Sequence, residues 1–409
     1  MKIGINASFA RKPNTGTGQV AVNFINSLIK LTEIPNPTLP TGRQESQIPN
    51  LEFVLYLEED LPKDIKLPSN FTKRIFLPFW KRDDLLRKIA WEKFMLPGKV
   101  RQDKCDIFFS LYQSPTVFNQ GKNNPLHIML VHDLIWEIFP EYANNSRKKL
   151  YWNMVKKAIS KAEKIIAISR HTEKDLIKYL ALDPALITVS YLDVDEIYKK
   201  NVETKHASSV LKKYGLKPGY IYAGGGLEKR KNIEKLIRAY KQLLENNKTS
   251  RLLEDFPNLV ISGKLMPELA PLITDVEKIV KEENLTGYVK LLDFVEQKYL
   301  PALYRNASVF VFPTLYEGFG LPVLEAMNQG TPVITSKNSS LPEVGRDGVL
   351  YCDSSDEREL GQVIKNVLLN KDLREALSRR GKERAQYFSW EKFVEKFLNI
   401  AKEAGEKRS

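Results

Sequence analysis

The chain has 409 residues, 43% of them hydrophobic and 10% aromatic, so it can bury a core, and this length predicts two domains of about 200 residues each. The formal charge of +13 can concentrate an acidic partner such as a nucleotide diphosphate, an anionic lipid headgroup or a nucleic acid, or it can simply solvate a lysine-rich surface. The chain starts with a strand pattern rather than a cleavable signal, and it lacks the run of about 20 apolar residues that a membrane-spanning helix needs, so we expect a cytoplasmic protein. The spacing of its two cysteines does not match a zinc site.

The first predicted elements are a strand over residues 2–8, a turn at Gly16-Thr17-Gly18 and a helix that follows it. This order is typical of a Rossmann-like opening, but it is not the dinucleotide fingerprint. Ala21 stands at the third glycine position, and about ten residues separate the strand from Gly16. Residues 34–50 carry several prolines among polar residues and predict a surface loop.

Residues 76–94 mix basic side chains with large apolar ones. Such a mixture can dock an amphipathic helix onto an anionic membrane surface. Alternatively, the apolar side chains pack against the sheet while the lysines extend to solvent. The apolar residues concerned are Phe79, Trp80, Leu85, Leu86, Ile89, Trp91 and Phe94.

Two further strand patterns cover residues 105–110 and 127–131, and the second is followed directly by His132. Ligands of open α/β sheets gather at the carboxyl ends of the strands. His132 is therefore a candidate for contacting or orienting a ligand, although a histidine at a strand end can also be purely structural.

The second half of the chain opens with a strand pattern at 220–223, three glycines at 224–226 and the string Arg230-Lys231-Asn232 at a predicted helix start. The glycines give access to the backbone, while Arg230 and Lys231 supply a bidentate fork and a point charge. Cations at a helix start oppose the helix dipole, which costs stability unless an anion binds. The pattern predicts a pyrophosphate site, the alternative being a solvated basic run.

Residues 307–336 predict a strand–helix–strand unit, with the helix running from about Pro322 to Gln329. The loop Gly318-Phe319-Gly320 lets a ligand approach the backbone, and a helix start favours an anion such as phosphate. Glu317 and Glu325 flank this position, which favours a sugar or ribose beside the phosphate, because carboxylates accept hydroxyl groups. Alternatively, the two glutamates only complement the helix dipole.

The string from Tyr316 to Met327, with Glu317 and Glu325 in a Glu-x7-Glu arrangement, resembles the donor-site signature of retaining glycosyltransferase family 4. The resemblance covers nearly the whole chain and is specific at 220–232 and 314–326. It implies an α/β fold of the GT-B type, in which two Rossmann-like domains face each other across a cleft. The implied parts are an N-terminal acceptor-side domain (1–195), an interdomain linker (196–215), a C-terminal domain that binds the nucleotide sugar (216–388) and a helix that crosses back to the N-terminal domain (389–409).

By this resemblance the enzyme transfers a hexose with retention from a nucleotide-diphosphate sugar to a saccharide or lipid-linked acceptor, and we expect no metal or other cofactor. Arg230 and Lys231 would stabilise the leaving diphosphate. Glu317 would contact the hexose, Glu325 the ribose, and His132 would lie nearest the reacting centre. The implied catalytic residues are Glu317, His132, Arg230 and Lys231; the donor-binding residues are Gly225, Gly226, Arg230, Lys231, Val295, Glu317, Gly318, Phe319, Gly320, Leu321 and Glu325; the acceptor or cleft residues are Gly16, Gly18 and His132.

The Arg230-Lys231-Asn232 string and the stretch after His132 are similar to those of mannosyl and related polysaccharide-building members, which favours GDP-mannose over UDP-hexoses. The Asp-x-Asp sequence at 193–195 has a pattern that can ligate a divalent metal, but the resemblance places the start of the linker there. Two alternatives remain: a nucleotide-sugar epimerase or phosphorylase of the same fold, and a non-catalytic module that binds anionic surfaces. We expect no nucleic acid partner, because no stacking aromatics recur in a basic pattern, whereas peripheral contact with the inner face of an anionic membrane stays open.

Overall fold

The computed structural model describes residues 1–33, 51–78, 84–119, 121, 123–200, 203–246 and 256–406. The predicted loop at 34–50 and the aromatic pair Phe79 and Trp80 lie outside these residues. Internal contacts divide the chain into two compact units, one formed by Met1–Leu192 with Ser389–Ser409 and the other by Asp193–Phe388. Within the described ranges, no helix combines the length and the apolar character needed to cross a membrane.

The first unit is built on a parallel sheet with the strand order β3-β2-β1-β4-β5-β6-β7. Its central strands are buried along nearly their whole length, as expected of strands that are covered by helices on both faces. The strands are β1 (Lys2–Asn6), β2 (Glu52–Leu57), β3 (Phe71–Ile75), β4 (Ile107–Ser110), β5 (Leu126–Val131), β6 (Lys164–Ala167) and β7 (Ile187–Val189). The helices are α1 (Gly16–Glu33), α2 (Asp84–Ile89), α3 (Leu96–Gln102), α4 (Ile135–Ile138), α5 (Ser146–Ile159) and α6 (Arg170–Leu180), and a π-helical segment, Ala90–Met95, joins α2 to α3.

The second unit repeats this plan with the strand order β10-β9-β8-β11-β12-β13. Its helices and strands alternate along the chain, as parallel pairing requires. The helices α7 (Glu196–Lys199) and α8 (Thr204–Tyr214) precede the strands β8 (Tyr220–Ala223), β9 (Leu259–Ser262), β10 (Val289–Leu292), β11 (Ala307–Phe312), β12 (Val333–Ser336) and β13 (Leu350–Cys352). The remaining helices are α9 (Ile233–Asn246), α10 (Val276–Glu282), α11 (Leu300–Arg305), α12 (Leu321–Gln329), α13 (Leu341–Gly345), α14 (Glu357–Leu369) and α15 (Lys371–Ala385).

In each unit the first and fourth strands are neighbours at the centre of the sheet. The chain winds outward in one direction from the first strand and in the other direction from the fourth. Between these two strands lies the topological switch point, where open α/β sheets bind ligands at the carboxyl ends of the strands. The prediction of an α/β protein with two Rossmann-like domains is confirmed.

The last helix, α16 (Trp390–Glu406), belongs to the first unit although it follows the second unit in the chain. Its Phe397 stacks on Phe109 of β4 with the ring centroids 4.2 Å apart, and it meets Phe24 of α1 edge-on. Aromatic contacts of this kind bury a large apolar area. The chain therefore returns to the first unit after Phe388.

The segment that the sequence suggested as a linker, residues 196–215, contains α7 and α8 and lies within the second unit. The Asp195 side chain caps α7 by accepting a hydrogen bond from the Ile197 N–H at 2.9 Å. Gln329 of α12 donates a side-chain hydrogen bond to the carbonyl of Tyr198. These contacts explain why α7 is helical and packs against α12.

Candidate active site

Two loops of the second unit meet at the switch point, one after β8 and the other after β11. Gly225 and Gly226 follow β8 and have positive φ angles of 92° and 102°. A Cβ atom on Gly225 would lie 2.8 Å from Cγ of Pro322 and 3.1 Å from the ring of Phe312. The backbone at Gly225 thus packs directly against the start of α12, and a larger residue does not fit there.

Asn232 fastens the two loops together. It has the left-handed conformation (φ 60°), and its side-chain amide donates to the carbonyls of Pro313 at 3.1 Å and Ser354 at 2.7 Å. The carbonyl of Arg230 in turn accepts hydrogen bonds from the Leu315 N–H and the Thr314 hydroxyl. The sequence places Asn232 in the basic string but does not indicate this role.

Arg230, Lys231 and Glu317 form a buried ionic cluster between these loops. One oxygen of Glu317, Oε1, accepts hydrogen bonds from Arg230 Nη1 at 2.6 Å, Lys231 Nζ at 2.7 Å and Thr314 Oγ1 at 3.1 Å. The Glu317 and Lys231 residues are only 8% and 5% exposed. The cluster brings Arg230 and Lys231, which the resemblance assigned to the diphosphate, into contact with Glu317, which it assigned to the hexose.

The titration behaviour of this cluster follows from its geometry. Burial alone raises the pKa of Glu317, but the charges of Arg230 and Lys231 outweigh it, and the pKa is lowered overall. Burial, reinforced by the neighbouring Arg230 charge, lowers the pKa of Lys231, while Glu317 opposes that shift. Glu317 is therefore an ionised carboxylate at neutral pH, and an ionised carboxylate can accept hydrogen bonds but not donate them.

The loop that enters α12 is held by two serines. The Ser340 hydroxyl lies 2.9 Å from the carbonyl of Glu317 and 2.7 Å from that of Phe319, while Ser339 accepts from the Glu317 N–H. The Phe319 ring is buried and meets the ring of Phe388 edge-on, so its side chain anchors the loop. Only the backbone of Phe319 can serve the donor-binding role that the sequence assigned to it.

The loop ends at Gly320, where α12 begins. Gly320 has φ 109°, and a Cβ atom there would lie 2.7 Å from Leu341. The helix starts at Leu321, one residue before the predicted Pro322, and contains no acidic residue in its first turn. Glu325 therefore does not complement the helix dipole from the first turn, and the Glu317 side chain is bound by Arg230 and Lys231. The alternative that the two glutamates merely complement the helix start is not supported for Glu325.

Glu325 lies in the second turn of α12 and has surroundings very different from those of Glu317. It is 5% exposed, and its Oε2 accepts a hydrogen bond of 2.8 Å from the Tyr304 hydroxyl. Burial raises the pKa of Glu325 to about 7. The two glutamates of the motif thus differ in charge near neutral pH.

Val295 and Gly318, the remaining donor-site residues of the sequence analysis, are both buried. Gly318 lies in the loop beside Glu317. Val295 follows β10, two strands away from β8, so it lies at the same edge of the sheet as the other predicted residues.

In the first unit, His132 directly follows β5. Its Nε2 lies 2.9 Å from the carbonyl of Leu111, which can only accept, so Nε2 carries the proton and Nδ1 is an acceptor. Its backbone N–H donates to Gln113 Oε1. Burial lowers the pKa of His132, so the imidazole is neutral at pH 7.

Gly16 and Gly18 belong to the first turn of α1 rather than to a loop before it, because the helix starts at Gly16. A Cβ atom on Gly18 would lie 1.9 Å from the carbonyl oxygen of Lys12, whereas Gly16 has no atom within 4 Å of that position. Gly18 is therefore explained by packing. Gly16 is not, and its predicted acceptor role stays a prediction.

The Asp-x-Asp sequence has a structural explanation. Asp193 forms an ion pair of 2.6 Å with Lys199, and Asp195 caps α7. Throughout the described residues, no group of three histidine, cysteine or acidic side chains is arranged to hold a metal ion.

Comparisons with known proteins agree with this geometry. The family model described as glycosyl transferases group 1 matches residues 209–384, and the model described as Glycosyltransferase Family 4 matches residues 53–196. O-antigen chain mannosyltransferase B of Escherichia coli is 30% identical over 404 residues, which is 98% of this chain and 100% of that protein. O-antigen chain mannosyltransferase RfbU of Salmonella typhimurium is 27% identical over 390 residues, which is 94% of this chain and 95% of that protein.

The fold also has solved counterparts. The structure of WaaG, a glycosyltransferase involved in lipopolysaccharide biosynthesis, superposes with a TM-score of 0.71 at 15% identity and covers 98% of this chain and 99% of that chain. The predicted fold and the resemblance noted from the sequence are confirmed. The chain belongs to glycosyltransferase family 4 and is a glycosyltransferase with the GT-B fold.

Proposed function

We propose that this glycosyltransferase moves mannose from GDP-mannose to a saccharide or lipid-linked acceptor during polysaccharide assembly, with retention at the anomeric carbon and without a metal ion. Both relatives described above are named as O-antigen chain mannosyltransferases, and both align over nearly the whole chain. These names support mannose as the sugar and a growing polysaccharide as the acceptor. Retention rests on the resemblance of the Glu317–Glu325 motif to the retaining family.

The observation that carries the proposal is the buried cluster of Arg230, Lys231 and Glu317. Negative charge develops on the diphosphate as the sugar leaves, and cations that are already in position stabilise that charge. Arg230 and Lys231 are held by Glu317, and Arg230 Nη1 also donates to the carbonyl of Tyr316 at 2.9 Å. Two fixed cations beside the start of α12 supply the positive charge that a metal ion supplies elsewhere, which supports a metal-independent reaction.

Glu317 is suited to hold the hexose. Its three hydrogen bonds from Arg230, Lys231 and Thr314 all reach Oε1, so Oε2 can accept from a hydroxyl group of the sugar. The two cations also reduce its nucleophilicity, so we assign it to binding rather than to covalent attack.

Glu325 is suited to the ribose. A carboxyl group with a pKa of about 7 exists in both protonation states near neutral pH, so it can donate as well as accept. A ribose presents two adjacent hydroxyls, each of which can do the same. The Tyr304 hydroxyl keeps the carboxyl oriented.

A thermal-shift screen against UDP, GDP, dTDP, ADP and their sugars, with EDTA present, tests the donor. We expect selective stabilisation by GDP and GDP-mannose, since a ligand at about 100 times its Kd stabilises the folded state by about 2.7 kcal/mol. Selective stabilisation by a uridine nucleotide would reject GDP-mannose, and a requirement for divalent metal would reject the metal-free site. The anomeric configuration of the product, read by NMR, tests retention.

Incubation of the nucleotide sugar without an acceptor, and of a saccharide with phosphate, separates the related activities. A nucleotide-sugar epimerase would convert the donor with no acceptor present, and a phosphorylase would consume phosphate with a saccharide. We expect neither, because both relatives named above are transferases. A non-catalytic module is no longer an alternative, since the family assignment makes the chain an enzyme.

Contact with anionic membranes stays a prediction. In the 76–94 stretch, Trp91 is fully buried and its Nε1 donates to the carbonyl of Phe76, so this ring is part of the core. Leu86 and Phe94 are 43% and 67% exposed, so lipid can reach their side chains. Flotation with vesicles that contain anionic lipid tests the prediction, and protein left at the bottom of the gradient would reject it.

A further inference from the structure

A cluster of polar side chains lies at the switch point of the first unit, and the proposed function assigns no role to it. Asn6 is the last residue of β1, Ser8 follows that strand, and Tyr112 follows β4, so all three lie where the corresponding loops of the second unit form the proposed donor site. The Tyr112 hydroxyl lies 2.8 Å from Ser8 Oγ and accepts from Asn6 Nδ2 at 3.1 Å. Tyr112 is buried, so this hydroxyl is fixed in place.

The cluster continues into the π-helical segment through Glu92, which is fully buried. Glu92 accepts hydrogen bonds from the hydroxyls of Tyr112 and, at 3.1 Å, Tyr151. A π-helical turn is less stable than an α-helical one and recurs at functional sites. Here it directs a carboxyl group inward, toward the carboxyl end of β4.

Lys88 lies one turn before Glu92 and is the only side chain of this cluster that carries a fixed positive charge. Its Nζ lies 4.9 Å from the ring centre of Phe9, 5.0 Å from that of Tyr112 and 5.1 Å from that of Tyr151, and 3.8 Å from Glu92 Oε1. Three ring faces and a carboxyl group thus hold the ammonium in one position.

The hydrogen-bonding capacity of Lys88 is unused within the described part of the chain. An ammonium group has three N–H donors, and none has an acceptor within hydrogen-bond distance there, since even Glu92 lies 3.8 Å away. The side chain is 25% exposed, so a ligand can reach it. An ammonium donor that lies among aromatic rings, with a carboxyl group 3.8 Å away, suits a saccharide, which offers both hydroxyl oxygens and C–H faces.

We propose that Lys88 is an acceptor-binding residue, whose ammonium donates a hydrogen bond to an oxygen of the saccharide acceptor, and that Glu92 is a positioning residue that acts through Lys88 and Tyr112. The proposal rests on the proposed transfer to a saccharide. It assigns an acceptor contact to the first unit by the same topological rule that places the donor loops in the second unit.

The test is the kinetics of the variants Lys88→Gln and Lys88→Arg, with mannose transfer from GDP-mannose to p-nitrophenyl α-mannoside as the assay. Lys93→Gln is the matched control, because Lys93 lies five residues further along, in the π-helical segment, but is exposed and packs over Phe94. We expect Lys88→Gln to raise the KM for the mannoside about tenfold or more, as loss of a charged hydrogen bond does. The thermal shift with GDP-mannose should not change in any of the three variants.

Lys88→Gln removes the cation beside Glu92 and can therefore reduce the stability of the fold. Lys88→Arg keeps the positive charge, so it tests the same contact without that loss. The planar guanidinium is larger than the ammonium and directs its N–H groups in a fixed fork, so the KM for the mannoside should still rise. Glu92→Gln should raise the same KM while leaving the GDP-mannose shift intact, a split that a general loss of stability does not produce.

An unchanged KM for the mannoside in both Lys88 variants would overturn the inference, and so would an equal rise in Lys93→Gln. A wild-type protein that does not bind GDP-mannose would contradict the proposed function instead. If the Lys88 variants raise the KM only for acceptors that carry a phosphate group, Lys88 contacts a phosphate, and the inference is also rejected. The two proposals can therefore fail separately.

Discussion

The two units share one strand order but fill their switch points in different ways. In the second unit the loops contain glycines with positive φ, such as Gly225 and Gly320, and they bring backbone and charged side chains together. In the first unit the same position is filled by hydroxyl, amide and aromatic side chains around Glu92. A common scaffold thus fixes where a ligand can bind, while the loops decide which chemistry is available there.

The buried carboxyl groups show this contrast most directly. Glu317 and Glu92 are both buried, but the pKa of Glu317 is lowered and that of Glu92 is raised, mainly by burial. The difference is the distance to cations, because Glu317 has two within 2.7 Å while the nearest one to Glu92 lies at 3.8 Å. The pKa of the same residue type is thus shifted in opposite directions in similar burial.

The largest expected effect concerns the cations of the second unit. Arg230→Ala should lower kcat for GDP-mannose turnover about 100- to 1,000-fold, because it removes a fixed positive charge from the leaving diphosphate. Lys229→Ala is the matched control, since Lys229 lies in the same turn but is exposed, and it should change kcat less than about twofold. A loss below about tenfold in Arg230→Ala, in a protein that is still folded, would assign the site's chemistry to other residues.

A second prediction uses pH to separate Glu325 from Glu317. Burial raises the pKa of Glu325 to about 7, above its unfolded value of about 4.3, so the stability from its neutral form is present at acidic pH and is lost as pH rises through 7. The wild type should therefore lose about 2–3 kcal/mol relative to Glu325→Gln between pH 5 and pH 8. Urea unfolding of both proteins at the two pH values measures this difference.

For Glu317→Gln, the same urea unfolding experiment should give a pH dependence of stability with the opposite sign. Its lowered pKa means that the ionised form stabilises the folded state above the unfolded value, and that this stability is lost as pH falls. The Glu317→Gln variant should be less stable than the wild type at pH 8, and the deficit should shrink at acidic pH. Parallel pH curves for the two variants would contradict the difference in charge between the glutamates.

The sequence predicted which loops of the second unit come together, because the signals of these loops are local. Glycines, a basic pair and two glutamates at fixed spacing stand next to strand patterns, and the structure brings Gly225, Arg230, Lys231 and Glu317 together. The spacing did not reveal which partner each side chain takes. Asn232 reaches carbonyls 81 and 122 residues away, and such contacts depend on the tertiary fold.

The polar cluster of the first unit was missed for a related reason. Lys88 and Glu92 are four residues apart, a spacing that on a helix surface is typical of a solvated ion pair. A π-helical turn and the tyrosines of other elements make Glu92 fully buried instead, and the sequence contains no local pattern that signals such a turn. The Phe319 side chain was equally unpredictable, because loops lack the periodicity that distinguishes inward from outward positions.

The smallest expected effect concerns Gly16 and Gly18, which the resemblance assigned together to the acceptor side. Gly18→Ala should cost about 1–3 kcal/mol of stability, since its Cβ would lie 1.9 Å from the Lys12 carbonyl oxygen and the loop carrying Phe9 must move. Gly16→Ala should be neutral or slightly stabilising, because the site is open and alanine favours the helix. Thermal unfolding measures both, and the KM for the mannoside then separates packing from ligand approach. If Gly16→Ala leaves stability unchanged but raises that KM, the glycine serves the acceptor. If only Gly18→Ala has an effect, the glycines of the first unit serve packing, in contrast to the ligand access that we propose for Gly225 and Gly320.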